Sequence, residues 1–134
     1  MPTIHATVTQ TDHSASLADV RGHRLTIDRP LAKGGQDKGP MGGEALLMGL
    51  GGCFMSNLLA AAIARDVKIA NARAEIQGDL VDGPARYAAI RMRVRADCEP
   101  AGELSKLVLI ADRGCIVANT LRNALDLSVE CVDA

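Results

Sequence analysis

Aromatic side chains are nearly missing. Phe54 and Tyr87 are the only two, and there is no tryptophan. Two rings cannot build a stacking platform for bases or sugars, so the interior must be made of Leu, Ile, Val, Ala and Met. Net charge is equally scarce: 15 Lys and Arg against 16 Asp and Glu leave -1, without the basic excess of a nucleic-acid binder. Histidines are few (His5, His13, His23), no CxxC occurs, and nothing has zinc-ligand spacing. No metal, no cofactor and no nucleic-acid partner are expected. The start, "MPTIHATVTQTDHS", has neither a basic n-region nor an apolar h-region. The expectation is a cytoplasmic protein whose cysteines, at 53, 98, 115 and 131, stay thiols unless a redox cycle oxidises them.

What the chain does have is one long uncharged run, "ALLMGLGGCFMSNLLAAAIA", Ala45 to Ala64. Twenty such residues could span a bilayer. Gly49, Gly51, Gly52, Ser56 and Asn57 dilute the run, and Lys38 and Arg65 flank it without a sidedness bias. A helix apolar all round is equally the central helix of a globular fold, so no membrane span is expected. A length of 134 residues suits one domain, 1–134, able to bury a core without disulfide staples.

Periodicity orders the rest. In "TIHATVT" (3–9), Ile4, Ala6 and Val8 alternate with polar residues, the pattern of a half-buried strand. "LADV" (17–20) and "HRLTID" (23–28) read as two strands joined by an Arg21-Gly22 turn. Residues 29–43 hold five glycines and two prolines, a loop too long to be idle, before a helix over 41–65. Asp82-Gly83 marks a turn between two further strands. After it Ala88, Ile90, Met92, Val94, Ala96 and Cys98 share one face, and Arg91, Arg93 and Arg95 the other. The arginines read as a solvated face balanced by Glu75 and Asp79 on the facing strand. Leu104, Leu107, Val108 and Ala111 have helical spacing over 103–114, and "CIVANTLRNAL" (115–125) is a second short helix. "LDLSVECVD" closes the chain as a strand. The fold class is α+β, in the order β-β-β-α-β-β-α-α-β.

Strand parity puts Cys98 and Cys131 in the core as small hydrophobes. Cys115 opens a helix, where unpaired N–H groups should lower a thiol's pKa. Cys53 lies inside the long helix, on a face with Leu46, Gly49, Leu50, Ser56, Asn57 and Ala60. Glycines beside it admit either a packed segment or a small substrate. Burial alone would raise its pKa, so a reactive Cys53 calls for a cation; Arg21, Arg24, Arg29 and Lys33 are candidates.

Two stretches resemble the OsmC/Ohr family. "KGPMGGEALLMGLGGCFMSNLLAAAIARD" is similar to its central-helix motif, and "ADRGCIVANTLRNAL" to its second motif, 62 residues later. The resemblance covers nearly the whole chain. It implies an intertwined homodimer with the long helices buried between two sheets. It also implies a thiol peroxidase for small organic hydroperoxides, with Cys53 as the attacking thiol and Cys115 as its disulfide partner. An external dithiol reduces the pair, an arginine pairs with the thiolate, and a glutamate orients the arginine; Arg29 or Lys33 stands at roughly the right distance, with Arg21 and Arg24 also open. The sequence departs from the pattern in three places: the glutamate, the arginine, which no motif places, and the residue after the second cysteine. Gly43 stands ten residues before Cys53, where the peroxidases carry glutamate, while Glu44 stands nine before, as in the OsmC-like branch. On a continuous helix nine residues are two and a half turns, which turns Glu44 away from Cys53. Ile116 replaces the usual proline after the second cysteine. The alternative to an enzyme is a non-peroxidatic dimer that binds a small ligand or senses redox state through the same thiols.

Overall fold

The computed structural model describes residues 2–123 and 125–131. The chain divides into two compact units, Met1–Met48 and Gly49–Ala134.

The first unit is a three-stranded antiparallel sheet, β1 (Thr7–Gln10), β2 (Ser16–Val20) and β3 (His23–Ile27), in that spatial order. Arg21 and Gly22 both have positive φ, 54° and 84°. That is the two-residue turn whose twist suits a hairpin, and the Cα register runs from Val20↔His23 to Ser16↔Ile27. The expected half-buried strand over 3–9 is corrected: β1 begins only at Thr7 and is exposed throughout, Val8 by 63%, and Ile4 before it is 78% exposed. Its alternation is real, but nothing in this unit covers its apolar face.

The loop after β3 is organised by a residue that periodicity does not reveal. Asp28 is buried, and its carboxylate accepts the backbone N–H groups of Arg29 (2.7 Å), Gln36 (3.2 Å) and Lys38 (3.2 Å). Burial pushes its pKa up, but these N–H bonds outweigh burial and the net shift is downward. Gly39 lets the loop close, since a Cβ there would lie 2.0 Å from the Thr26 carbonyl oxygen.

Helix α1 (Gly42–Ala64) follows. Its N-terminus is capped by Glu44, whose carboxylate reaches back to the Met41 N–H at 2.8 Å, the glutamate half of a capping box. Its C-terminus ends on Asp66 in the left-handed region (φ 54°), with Val67 N–H bonded to the Ala62 carbonyl at 2.9 Å.

In the second unit β4 (Lys68–Val81) and β5 (Arg86–Glu99) form a long antiparallel ribbon. The apolar side chains Ile69, Ile76, Ile90, Met92, Val94 and Cys98 pack on a core made by α1, α2 (Leu104–Arg113) and α3 (Ile116–Arg122). The α1 side of this core is the i, i+4 stripe Leu50, Phe54, Leu58 and Ala62; Leu107, Ala111, Cys115 and Ala118 meet it. The glycines of α1 separate by role. A Cβ on Gly51 would lie 2.6 Å from Ile76 Cδ1, so Gly51 permits close approach to β4, while a Cβ at Gly49 or Gly52 would meet nothing within 4 Å.

Two expectations fail here. Residues 125–131 form no strand, and the remainder of that stretch, 132–133, lies outside the described residues. Cys131 is exposed and not in a core. Alternation gives a segment a face, but a strand also needs a hydrogen-bonding neighbour, and none pairs with 125–131 among the described residues.

Candidate active site

Cys53 and Cys115 meet inside the second unit. Cys53 is half-buried on α1; Cys115 is fully buried as the N-cap residue of α3. Helix α2 ends at Gly114, and the chain turns back so that Cys115 N–H bonds to the Asp112 carbonyl at 3.2 Å. The Cys115 sulfur then accepts the Ala118 N–H at 3.5 Å, as an N-cap side chain does.

This turn aims the first turn of α3 at Cys53. The Val117 and Ile116 N–H groups and the Cys115 thiol lie beside the Cys53 sulfur and favour its charged form. The Val117 N–H is the largest influence and, with the others, outweighs burial; the Cys53 pKa is lowered. Cys115 goes the other way. Burial dominates, the contact with Cys53 adds to it, and the Ala118 and Val117 N–H groups offset only part. The expectation that helix-start geometry makes Cys115 the acidic thiol is therefore corrected: Cys115 receives N–H groups of α3, but its burial outweighs them. The two are neighbouring unbridged thiols whose pKa values move in opposite directions, Cys53 down and Cys115 up.

The turn is braced from several sides. Arg122 holds Asp112 through both carboxylate oxygens (2.8 and 2.9 Å), and Asn119 Nδ2 donates to the Arg113 carbonyl at 3.0 Å. From α1, Asn57 Nδ2 donates to the Ala111 carbonyl at 3.3 Å.

The other expected site residues belong to the first unit. Arg29 and Lys33 line a recess of about 400 Å³ together with Asp28, Ser14 and Gly42. Glu44 holds the N-terminus of α1 as described. Arg24 is paired with Asp19 at 3.2 Å, and Arg21 forms the β2–β3 turn. Sequence reasoning asked for a cation beside Cys53 and missed the backbone donors of Ile116 and Val117. The signal was present in the Gly114-Cys115 break before "IVANTLR", read there as serving Cys115. Among the described residues no group of three or more His, Cys, Asp or Glu could hold a metal ion. Helix α1 is long and apolar enough to cross a membrane, by length and composition alone.

Comparison with known proteins agrees with this arrangement of elements. The structure superposes on an OsmC-like protein of unknown function from Vibrio cholerae with a TM-score of 0.76, at 16% identity, over 90% of this chain and 94% of that one. An organic hydroperoxide resistance protein from Legionella pneumophila gives 0.65 at 17% identity, over 91% and 90%. The corresponding protein of Bacillus subtilis gives 0.60 at 20%, over 92% and 93%. No curated protein matches the sequence significantly. The family model described as OsmC-like protein matches residues 35–130, a span that takes in both cysteines, the intact α1 and the β4–β5 ribbon, and the chain belongs to that family.

Proposed function

We propose that the protein is a thiol peroxidase that reduces organic hydroperoxides through Cys53 and Cys115. The observation that carries this reading is the contact between a Cys53 thiol of lowered pKa and a buried Cys115 thiol of raised pKa. The names of the Legionella and Bacillus structures support it. The Cys53 thiolate attacks the outer oxygen of the hydroperoxide. An S–O bond forms, the O–O bond breaks, and the alkoxide takes a proton and leaves as alcohol. The product is a Cys53 sulfenic acid. Cys115 loses its proton and attacks that sulfur; hydroxide leaves and is protonated to water, and a Cys53–Cys115 disulfide remains. An external dithiol returns two electrons and two protons. In this reading Arg29 serves as the cation that meets the thiolate or the substrate, and Glu44 helps place it from the start of α1.

The same reading takes residues 1–134 as one OsmC-like domain acting in the cytoplasm as a homodimer. What supports the dimer is the apolar surface one chain leaves open: Ile63 is 81% exposed on α1 and Val129 is 92% exposed. Surfaces of this kind mark interfaces. Protein then covers the outer face of α1, and lipid does not.

A redox-sensing or small-ligand-binding dimer is the second reading. The bond from Met41 N–H to Glu44 favours it, because that carboxylate is engaged in capping. Consumption of cumene hydroperoxide by the purified protein, with dithiothreitol or a dihydrolipoyl protein as reductant, separates the two. Turnover supports the peroxidase; no consumption beyond that of free cysteine leaves the sensor.

A further inference from the structure

The hairpin that carries Cys115 is stapled internally, by Arg122 on Asp112 and Asn119 on Arg113. Its seat on α1 is a separate matter. Most of that seat is apolar contact among Phe54, Leu58, Leu107, Ala111 and Ala118, which is non-directional and does not fix register along the helix. Apart from the bonds to Cys53 itself, one side-chain hydrogen bond runs from α1 to α2 or α3 among the described residues: Asn57 Nδ2 to the Ala111 carbonyl, 3.3 Å.

Asn57 is placed for this. It stands four residues after Cys53, on the same face of α1 one turn on. Ala111 is three residues before Gly114. The Asn57 amide also lies against Gly114, where a Cβ would come within 3.5 Å of Nδ2. A half-buried amide next to an aliphatic core costs desolvation that leucine would not. What the amide supplies instead is a directional bond to the end of α2, immediately before the turn that places Cys115 and the α3 donors.

We propose that Asn57 is a positioning residue: its side-chain amide locks the Gly114-Cys115 turn in register with α1 and so keeps the Cys115 sulfur within bonding range of Cys53. The inference rests on the reading of Cys53 and Cys115 as a disulfide-forming pair, and not on which oxidant they meet.

The test uses exchange with dithiothreitol, without peroxide. Wild-type protein, Asn57→Leu and Asn57→Ala are equilibrated at graded ratios of reduced to oxidised dithiothreitol, and the Cys53–Cys115 disulfide is counted by alkylation and mass spectrometry. Each exchange makes one S–S bond and breaks one. Two electrons and two protons pass from the protein thiols to the cyclic disulfide of the reagent. The effective concentration of the pair is expected to fall at least fivefold in both variants. The pH midpoint for alkylation of Cys53 is expected to move up, since the Val117 and Ile116 donors shift with the turn. Urea unfolding runs in parallel. Asn57→Ala is the smaller perturbation should Asn57→Leu fail to fold. Exchange constants and alkylation midpoints that stay within twofold and 0.2 units (roughly 0.3 kcal/mol) of wild type, whatever happens to the urea midpoint, overturn the inference. A wild-type protein that forms no such disulfide at any ratio overturns it too. Failure of the wild type to consume cumene hydroperoxide sinks the peroxidase reading alone, because the exchange values do not depend on it.

Discussion

Cys53 and Cys115 are one residue type in one core with pKa shifts of opposite direction, and the difference lies in which influence leads, backbone N–H groups at Cys53 and burial at Cys115. The Val117 N–H leads in lowering the pKa of Cys53, while burial leads in raising that of Cys115. A thiol of depressed pKa is charged above that pKa, so Cys53 reactivity should rise with pH at a midpoint below the ordinary value of about 8.5. Cys115 should be alkylated with a midpoint above it. Rates of iodoacetamide labelling by residue, followed by mass spectrometry from pH 5 to 10 (roughly the span about a free thiol), check both. Cys98→Ser and Cys131→Ser should leave this behaviour unchanged. Cys98 lies at the edge of the core, with its S–H on the Pro100 carbonyl, and Cys131 is exposed. Loss of disulfide formation in either folded variant would contradict that. Asp28 provides a stability test. Its carboxylate accepts three backbone N–H groups, and Asn would turn a donor toward some of them. Asp28→Asn should lower the urea midpoint near neutral pH, since removing an acceptor leaves N–H groups without partners. A depressed carboxyl pKa contributes stability that is whole above the unfolded value of about 3.9 and is lost as pH falls through the folded one. The gap between wild type and variant should therefore narrow on acidification. The thiols were legible in the sequence as candidates. Their acidities were not, because those depend on donors 62 to 64 residues away from Cys53. Asp28 was invisible for the same reason: its partners are loop N–H groups up to ten residues on.

At the scale of elements, parity was the most readable signal. On β5 the residues Ile90, Met92, Val94, Ala96 and Cys98 are half-buried, and Arg91, Arg93 and Arg95 are exposed. Asp79 pairs with Arg91, and Glu75 stands opposite Arg93 but bonds Arg73 at 3.2 Å. Ala88 departs from the pattern because the ladder shifts register after Asp79, pairing Ala89 with Asp79 and Tyr87 with Leu80. A bulge of this kind leaves one residue unpaired, and single-strand alternation cannot announce it. The same limit applies to the expected strands over 3–9 and 125–133: β1 is exposed throughout, and 125–131 form no strand. Helix α1 was legible in extent, and its glycines were not separable by role. The structure makes Gly51 the close-packed one. Gly51→Leu should cost about 1–3 kcal/mol through overpacking against Ile76. Leu107→Ala, at a fully buried position, should cost about 2–5 kcal/mol. Urea midpoints measure both, and an unchanged midpoint in Gly51→Leu would mean that α1 and β4 do not approach as described.

For the whole molecule, the apolar surface of a single chain sets the expectation for assembly. With Ile63, Leu127 and Val129 largely exposed, light scattering at micromolar concentration should give about twice the 14.0 kDa of one chain. A stable monomer would contradict the proposed homodimer. The peroxidase reading depends on Cys53 attacking first. The most direct measurement is therefore made on intact Cys115→Ser protein, given one equivalent of cumene hydroperoxide in the presence of dimedone and read by mass spectrometry. The account predicts rapid loss of the peroxide and a single dimedone adduct on Cys53, with Cys53→Ser reacting far more slowly at Cys115. A rapid adduct on Cys115 in Cys53→Ser would reverse the roles. Reaction of neither variant faster than free cysteine would contradict the peroxidase reading.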